Sequence, residues 1–236
     1  MRPNFRRFRF KHLQTSITVL VEDENSYEKV VKNVLEARAQ VERAIAKEPL
    51  FYSSLEPLPE ELWPKQEVPR RMCEASKLAG VGPMAAVAGG IAQYAVERFE
   101  GRVVIDNGGD IVMRCDRLIA GIFPSELGVK LEFDREKVYS VCTSSGRYGH
   151  SISFGDCDAA VILAEDGFVA DSFATALGNE IKPSYGAKEI EEALRHFWRR
   201  AKRYIDGAVV LKDGYVGVAG EVKLVKANFD ERLITR

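Results

Sequence analysis

An α+β domain is the fold class the sequence predicts, and three observations predict it. Two turn signatures, Asn107-Gly108-Gly109 and Asp213-Gly214, sit between apolar runs and mark strands paired by tight hairpins. Residues 25–47 and 193–205 instead carry apolar side chains at helical spacing. The two kinds of segment do not alternate regularly, which argues against a wound parallel sheet. A single domain spanning 1–236 is expected, with mixed or antiparallel sheets and helices packed between and around them.

From the N-terminus, Arg7, Phe8, Arg9, Phe10 and Lys11 alternate with period two, so a half-buried strand is expected, continuing into TSITVLVE at 15–22. A basic arm for nucleic acid is the rival reading. No second basic patch lies alongside, and the strand face is preferred. Asn25 and Ser26 then cap a helix reaching about residue 47, with Val30, Val34, Ala37, Val41 and Ile45 on one face. Five of the nine prolines fall within 49–69. Phe51, Tyr52, Leu62 and Trp63 make this connector too apolar to stay solvated, so it should pack across the fold instead of dividing it.

Gly82-Pro83 breaks the Gly- and Ala-rich stretch 72–99 into two helices. Small residues there admit close approach by a helix, a ligand or a second subunit, which makes a homodimer an expectation. Strands at 102–106 and 110–115 flank the Asn-Gly-Gly turn, and others are expected at 117–123, 128–134, 137–143 and 159–163. A helix beginning at Asp171 follows the last of these. Helix 193–205 sets Leu194, Phe197, Trp198, Ala201 and Ile205 on one face, ahead of a hairpin at 211–216.

Bulk composition excludes several functions. A net charge of −1 offers no global attraction to nucleic acid or an anionic membrane. No apolar run approaches the ~18 residues of a membrane span, and MRPNFRRFRFKHL lacks the apolar region of a secretory signal. The four cysteines show no paired spacing and read as small core residues of a reducing, cytoplasmic compartment.

Four stretches could carry chemistry. GVGPMAAVAGGIA (80–92) can present free amides to phosphate, although its spacing matches no established phosphate loop; helix packing explains it equally well. In IDNGGDI (105–111), Asp110 either completes a glycine hairpin or accepts a hydrogen bond from a ribose or base. CTSSGRYGHSIS (142–153) gathers Thr143, Ser144, Gly146 and Arg147, a set suited to a phosphate or to a loop capped by its own serines. His150, one of three histidines, is its candidate general acid or base. Finally, Asp171 and Thr175 in ADSFATAL stand four apart, on one helical face, as hard oxygen donors for Mg²⁺.

GGIA with YAVERF (89–92, 94–99), NGGDI (107–111), CTSSG (142–146) and ADSFATAL (170–177), in this order, resemble the ApbE family of Mg²⁺-dependent flavin transferases. The likeness covers residues 80–179 and is nearest to a shorter ApbE-like branch. It implies an ApbE-like fold, with Asp171 and Thr175 as metal ligands beside a backbone carbonyl of the Gly-Gly-Ile-Ala region. It also implies that Asn107, Gly108, Gly109 and Asp110 form a nucleotide-contacting loop, and that Thr143, Ser144 and Gly146 line the flavin or pyrophosphate pocket. The implied reaction moves FMN from FAD to a threonine hydroxyl of a partner protein, with AMP leaving. Two departures stand out. Gln93 occupies the place of the family's lysine, and His150 is single where two histidines followed by Asp-Pro are usual. A binding module that kept the fold and lost the reaction is the alternative.

Overall fold

The computed structural model describes residues 5–148 and 155–227. Among them, one antiparallel sheet organises the chain. Its strands run in sequence order: β1 (Arg6–His12), β2 (Thr15–Val21), β3 (Val103–Asn107), β4 (Asp110–Ile122), β5 (Leu127–Ser144), β6 (Ala159–Ala164), β7 (Gly207–Lys212) and β8 (Tyr215–Gly220). A short β9 (Leu224–Lys226) pairs with the start of β5.

Several expectations are corrected at the boundaries. The first strand does not continue into the second. Leu13, at φ 52°, turns the chain back, and β1 pairs antiparallel with β2 as a basic edge strand. Charged side chains on an unpaired edge discourage further pairing. The four strands expected between 110 and 143 are two long ones, β4 and β5, with a register shift between Cys115 and Arg117. The polar residues at 116 and 134–136 fall at that shift, where one residue of β4 faces four of β5 and neither strand ends. The outer half of this hairpin packs Ala120, Ile122, Val129 and Leu131 with Val141, Val161 and Val209 in one cluster.

The helices cover the opposite face. α1 (Glu24–Lys47), α3 (Glu67–Ala79) and α4 (Val87–Glu97) bury Val34, Met72 and Tyr94 with Val19 and Ile105 of the sheet. α5 (Gly167–Glu180) and α6 (Ala187–Ala201) bury Phe173 and Phe197 against Ile162 and Val210. β6 is therefore buried on both faces, which is why AAVILA reads as an unbroken apolar run. The cap of α1 is Asp23, whose carboxylate accepts the Ser26 amide, so the helix starts earlier than Asn25. The proline-rich connector packs in part: Phe51 of the short α2 (Pro49–Ser53) is buried and the Trp63 indole donates to the Leu58 carbonyl at 3.0 Å, whereas Leu50, Tyr52 and Leu55 are exposed. All four cysteines are buried and free. No single helix among the described residues is long and apolar enough to cross a membrane.

Candidate functional site

The helix carrying Asp171 begins at Gly167, not at Asp171. Asp166 is its cap, accepting from the amides of Phe168 and Val169 at 2.7 and 3.3 Å. Asp171 thus lies past the first turn, where its own helix leaves no free amide for it. It reaches another helix instead. Its Oδ2 accepts the amide of Gly89, in the first turn of α4, at 2.8 Å. α4 has no side-chain cap of its own, so a carboxylate from α5 serves its positive end. Glycine at 89 is required by this approach: a Cβ there would lie 2.4 Å from the Gly167 carbonyl oxygen and 2.8 Å from the Asp171 Cβ. The close contact admitted by these small residues is between α4 and α5 of one chain.

The other stretches meet at the same place. Asn107 ends β3 and donates its side-chain amide to the Ala88 carbonyl at 3.0 Å. Gly108 and Gly109, at φ 73° and 107°, make the bend that starts β4 at Asp110, and the Gly109 amide donates to Asp106. The buried Asp110 carboxylate accepts the Thr143 amide at 3.0 Å, tying this turn to the end of β5. Between the two acids lies Cys142, whose sulfur would stand 3.1 Å from a Cβ on Gly89 and is 3.8 Å from the Gly167 carbonyl oxygen.

Burial dominates the electrostatics of this pair. It pushes Asp110 up to about 7, with the charge of Asp106 adding to the shift. Burial also lifts Asp171 well above the usual carboxylate range, and the charge of Asp110 lifts it further. The Cys142 thiol is raised by burial and by both carboxylates, so it stays protonated. Two buried acids, each held above its ordinary range, are a donor set that a hard divalent cation would relieve. Among the described residues no cluster of three or more His, Cys, Asp or Glu side chains is arranged as metal ligands. Any cation here would draw on hydroxyl, carbonyl and ligand oxygens as well. That fits Mg²⁺, which binds through one or two carboxylates and keeps waters or substrate phosphates.

Thr175 stands half-buried one turn beyond Asp171. Ser144 is buried on the helix-facing side of β5, and its hydroxyl has no hydrogen-bond partner among the described residues. The remaining loop residues are placed differently. Gly146 packs against Gly155, where a Cβ would meet the Gly155 carbonyl at 2.0 Å. Arg147 is committed to Asp156, Asp158 and Asp213, at 2.8, 3.1 and 2.6 Å. Asp156 also pairs with the buried Lys212, whose ammonium donates to the carbonyls of Lys182 and Pro183. His150 lies outside the described residues. The sequence marks Cys142 only as a core cysteine and gives Gln93 no partner; the strand-end hydroxyls after Cys142 are the available signal for the first.

The antiparallel sheet with helices packed on one face makes this an α+β protein with the ApbE fold. Solved structures bear this out: the ApbE protein of Thermotoga maritima aligns with a TM-score of 0.52 at 12% identity, covering 98% of this chain and 99% of that one. The apo form of the flavinyl transferase ApbE from Pseudomonas stutzeri aligns at 0.52 and 13% identity, covering 91% and 94%. A family model described as AbpE bacteria matches residues 1–218, and the chain belongs to that family. Relatives include UPF0280 proteins of Archaeoglobus fulgidus, 45% identical over 98% of this chain and 99% of the relative, and of Methanosphaerula palustris, 40% identical over 97% of each.

Proposed function

We propose that this protein binds FAD or a related phosphate-bearing flavin nucleotide together with Mg²⁺ and cleaves its pyrophosphate, transferring FMN to a hydroxyl of an acceptor protein or to water. The observation that supports it is the meeting of Asp171, the start of α4, the Asn107–Asp110 turn and the end of β5, drawn from four separate stretches of chain. In this reading Asp171 and Thr175 hold the cation with a backbone carbonyl at the start of α4. The bound Mg²⁺ would neutralise charge on the pyrophosphate. Asn107, Gly108, Gly109 and Asp110 contact the nucleotide, and the unpartnered hydroxyl of Ser144 offers a hydrogen bond to it. His150 takes the proton of the attacking hydroxyl as the proposed base.

One observation favours a second reading, a binding module without the reaction. Asp171 and Asp110 each already accept a main-chain amide, and Arg147 is held by three carboxylates. Incubation with FAD, with and without Mg²⁺, separates the two. Mg²⁺-dependent AMP release that disappears in Asp171→Ala is expected from the first. A rise in melting temperature with FAD but no AMP would establish the second, and neither effect would refute both.

A further inference from the structure

We propose that Gln93 is a positioning residue for the cation site, holding the first turn of α5 so that Asp171 meets α4; this rests on the metal reading above. Gln93 lies in the middle of α4, 3% exposed, and uses both ends of its amide. Its Oε1 accepts the Gly167 amide at 2.9 Å and the Ser140 hydroxyl at 3.3 Å, while its Nε2 donates to Glu97 at 2.8 Å. These partners are the first residue of α5, a residue of β5 and the next turn of α4.

The arrangement closes on itself. Glu97 is gripped from the other side by Arg71 of α3, through two hydrogen bonds of 2.6 and 3.0 Å. Arg71 also donates to Asp166, the cap of α5, at 3.0 Å and stacks on the Phe168 ring at 4.3 Å. Gln93, Glu97, Arg71, Asp166 and Gly167 thus form a ring around the start of α5. Asp171 sits one turn further along the same helix, so whatever moves Gly167 moves the carboxylate.

The space is tight: a Cβ on Gly167 would lie 2.8 Å from the Gly89 carbonyl oxygen and 3.2 Å from Gln93 Oε1. Position 93 must therefore accept from Gly167 and donate to Glu97 at once. Lysine has no acceptor and leucine has neither function. An amide at 93 has both functions and suits this crossing.

The test is Mn²⁺ titration followed by electron paramagnetic resonance of the free ion, on the full chain, for the parent, Gln93→Leu and the double variant Gln93→Glu with Glu97→Gln. The double variant exchanges the two side chains. The carboxylate then at position 93 accepts from Gly167, and the amide then at position 97 donates to that carboxylate while still accepting from Arg71. The parent should bind one Mn²⁺, Gln93→Leu at least tenfold more weakly, and the double variant within about threefold of the parent. If Gln93→Leu does not fold, recovery in the double variant decides. Parent binding with Gln93→Leu folded and equally tight, or with the double variant at least tenfold weaker, overturns the positioning role alone. A parent that binds no Mn²⁺ overturns the metal reading and this inference with it.

Discussion

The carboxylate of Asp171 and the amide of Gly89, 82 residues apart in the chain, are joined by a hydrogen bond of 2.8 Å. This contact ties α5 to the first turn of α4 and fixes where the Asp171 carboxylate faces. It also gives Asp171 two separable properties, an acceptor oxygen and a charge.

Those properties part in Asp171→Asn. The amide oxygen still accepts from Gly89, and the repulsion from Asp110 is gone. At pH 8 without divalent cation the variant should unfold at a urea concentration equal to or above that of the parent. Its affinity for Mn²⁺ should fall at least tenfold, since the charged donor is lost. A variant that is clearly less stable yet binds Mn²⁺ like the parent would contradict both halves.

A steric prediction concerns Gly89→Ala. The clash is with the Gly167 main chain, which cannot swing aside as a side chain would. A loss of about 2–3 kcal/mol is expected, typical of overpacking. Gly80→Ala is the control: Gly80 has φ 75° with nothing within 4 Å of the added Cβ, and only the left-handed backbone resists, at about 1 kcal/mol. Urea denaturation of the two variants should rank them in that order.

The pH dependence of stability carries a definite sign. Asp110 is raised to about 7 in the folded chain against 3.8 as a free side chain. Between those values the folded state binds more protons than the unfolded one, so stability falls as pH rises from about 4 to 7. In EDTA the parent should therefore lose melting temperature across this window, and Asp110→Asn should lose less. Equal slopes would show that Asp110 is ionised throughout.

Lys212→Met tests the charged cluster around Arg147 and Asp156, at the end of β7. It would strip Asp156 of one partner and remove the ammonium that the carbonyls of Lys182 and Pro183 accept from. Asp156 keeps Arg147, which moderates the cost to about 2–4 kcal/mol by denaturant unfolding. A loss under about 1 kcal/mol would mean that water replaces the ammonium.

Much of the fold was legible because it rests on short-range chemistry. The Asn107–Gly109 bend and the Asp213-Gly214 turn need positive φ, and glycine announces it. Helix faces follow from apolar spacing, and the burial of the four cysteines from their small apolar side chains without paired spacing. Strand lengths were less legible: the charged residues at 116 and 134–137 look like breaks, although both strands run on through the irregular pairing there.

By itself, then, the sequence determined the α+β class, the turns, the helix faces and which stretches hold the polar residues. Only the tertiary structure decided who meets whom. It gave Asp171 to Gly89, Asp110 to Thr143 and Arg147 to a trio of acids, and put Gln93 between Gly167 and Glu97. The physical reason is range. A turn or a helical stripe is settled by neighbours within a few residues, whereas a buried carboxylate takes its partner and its proton affinity from segments that only the folded core brings together.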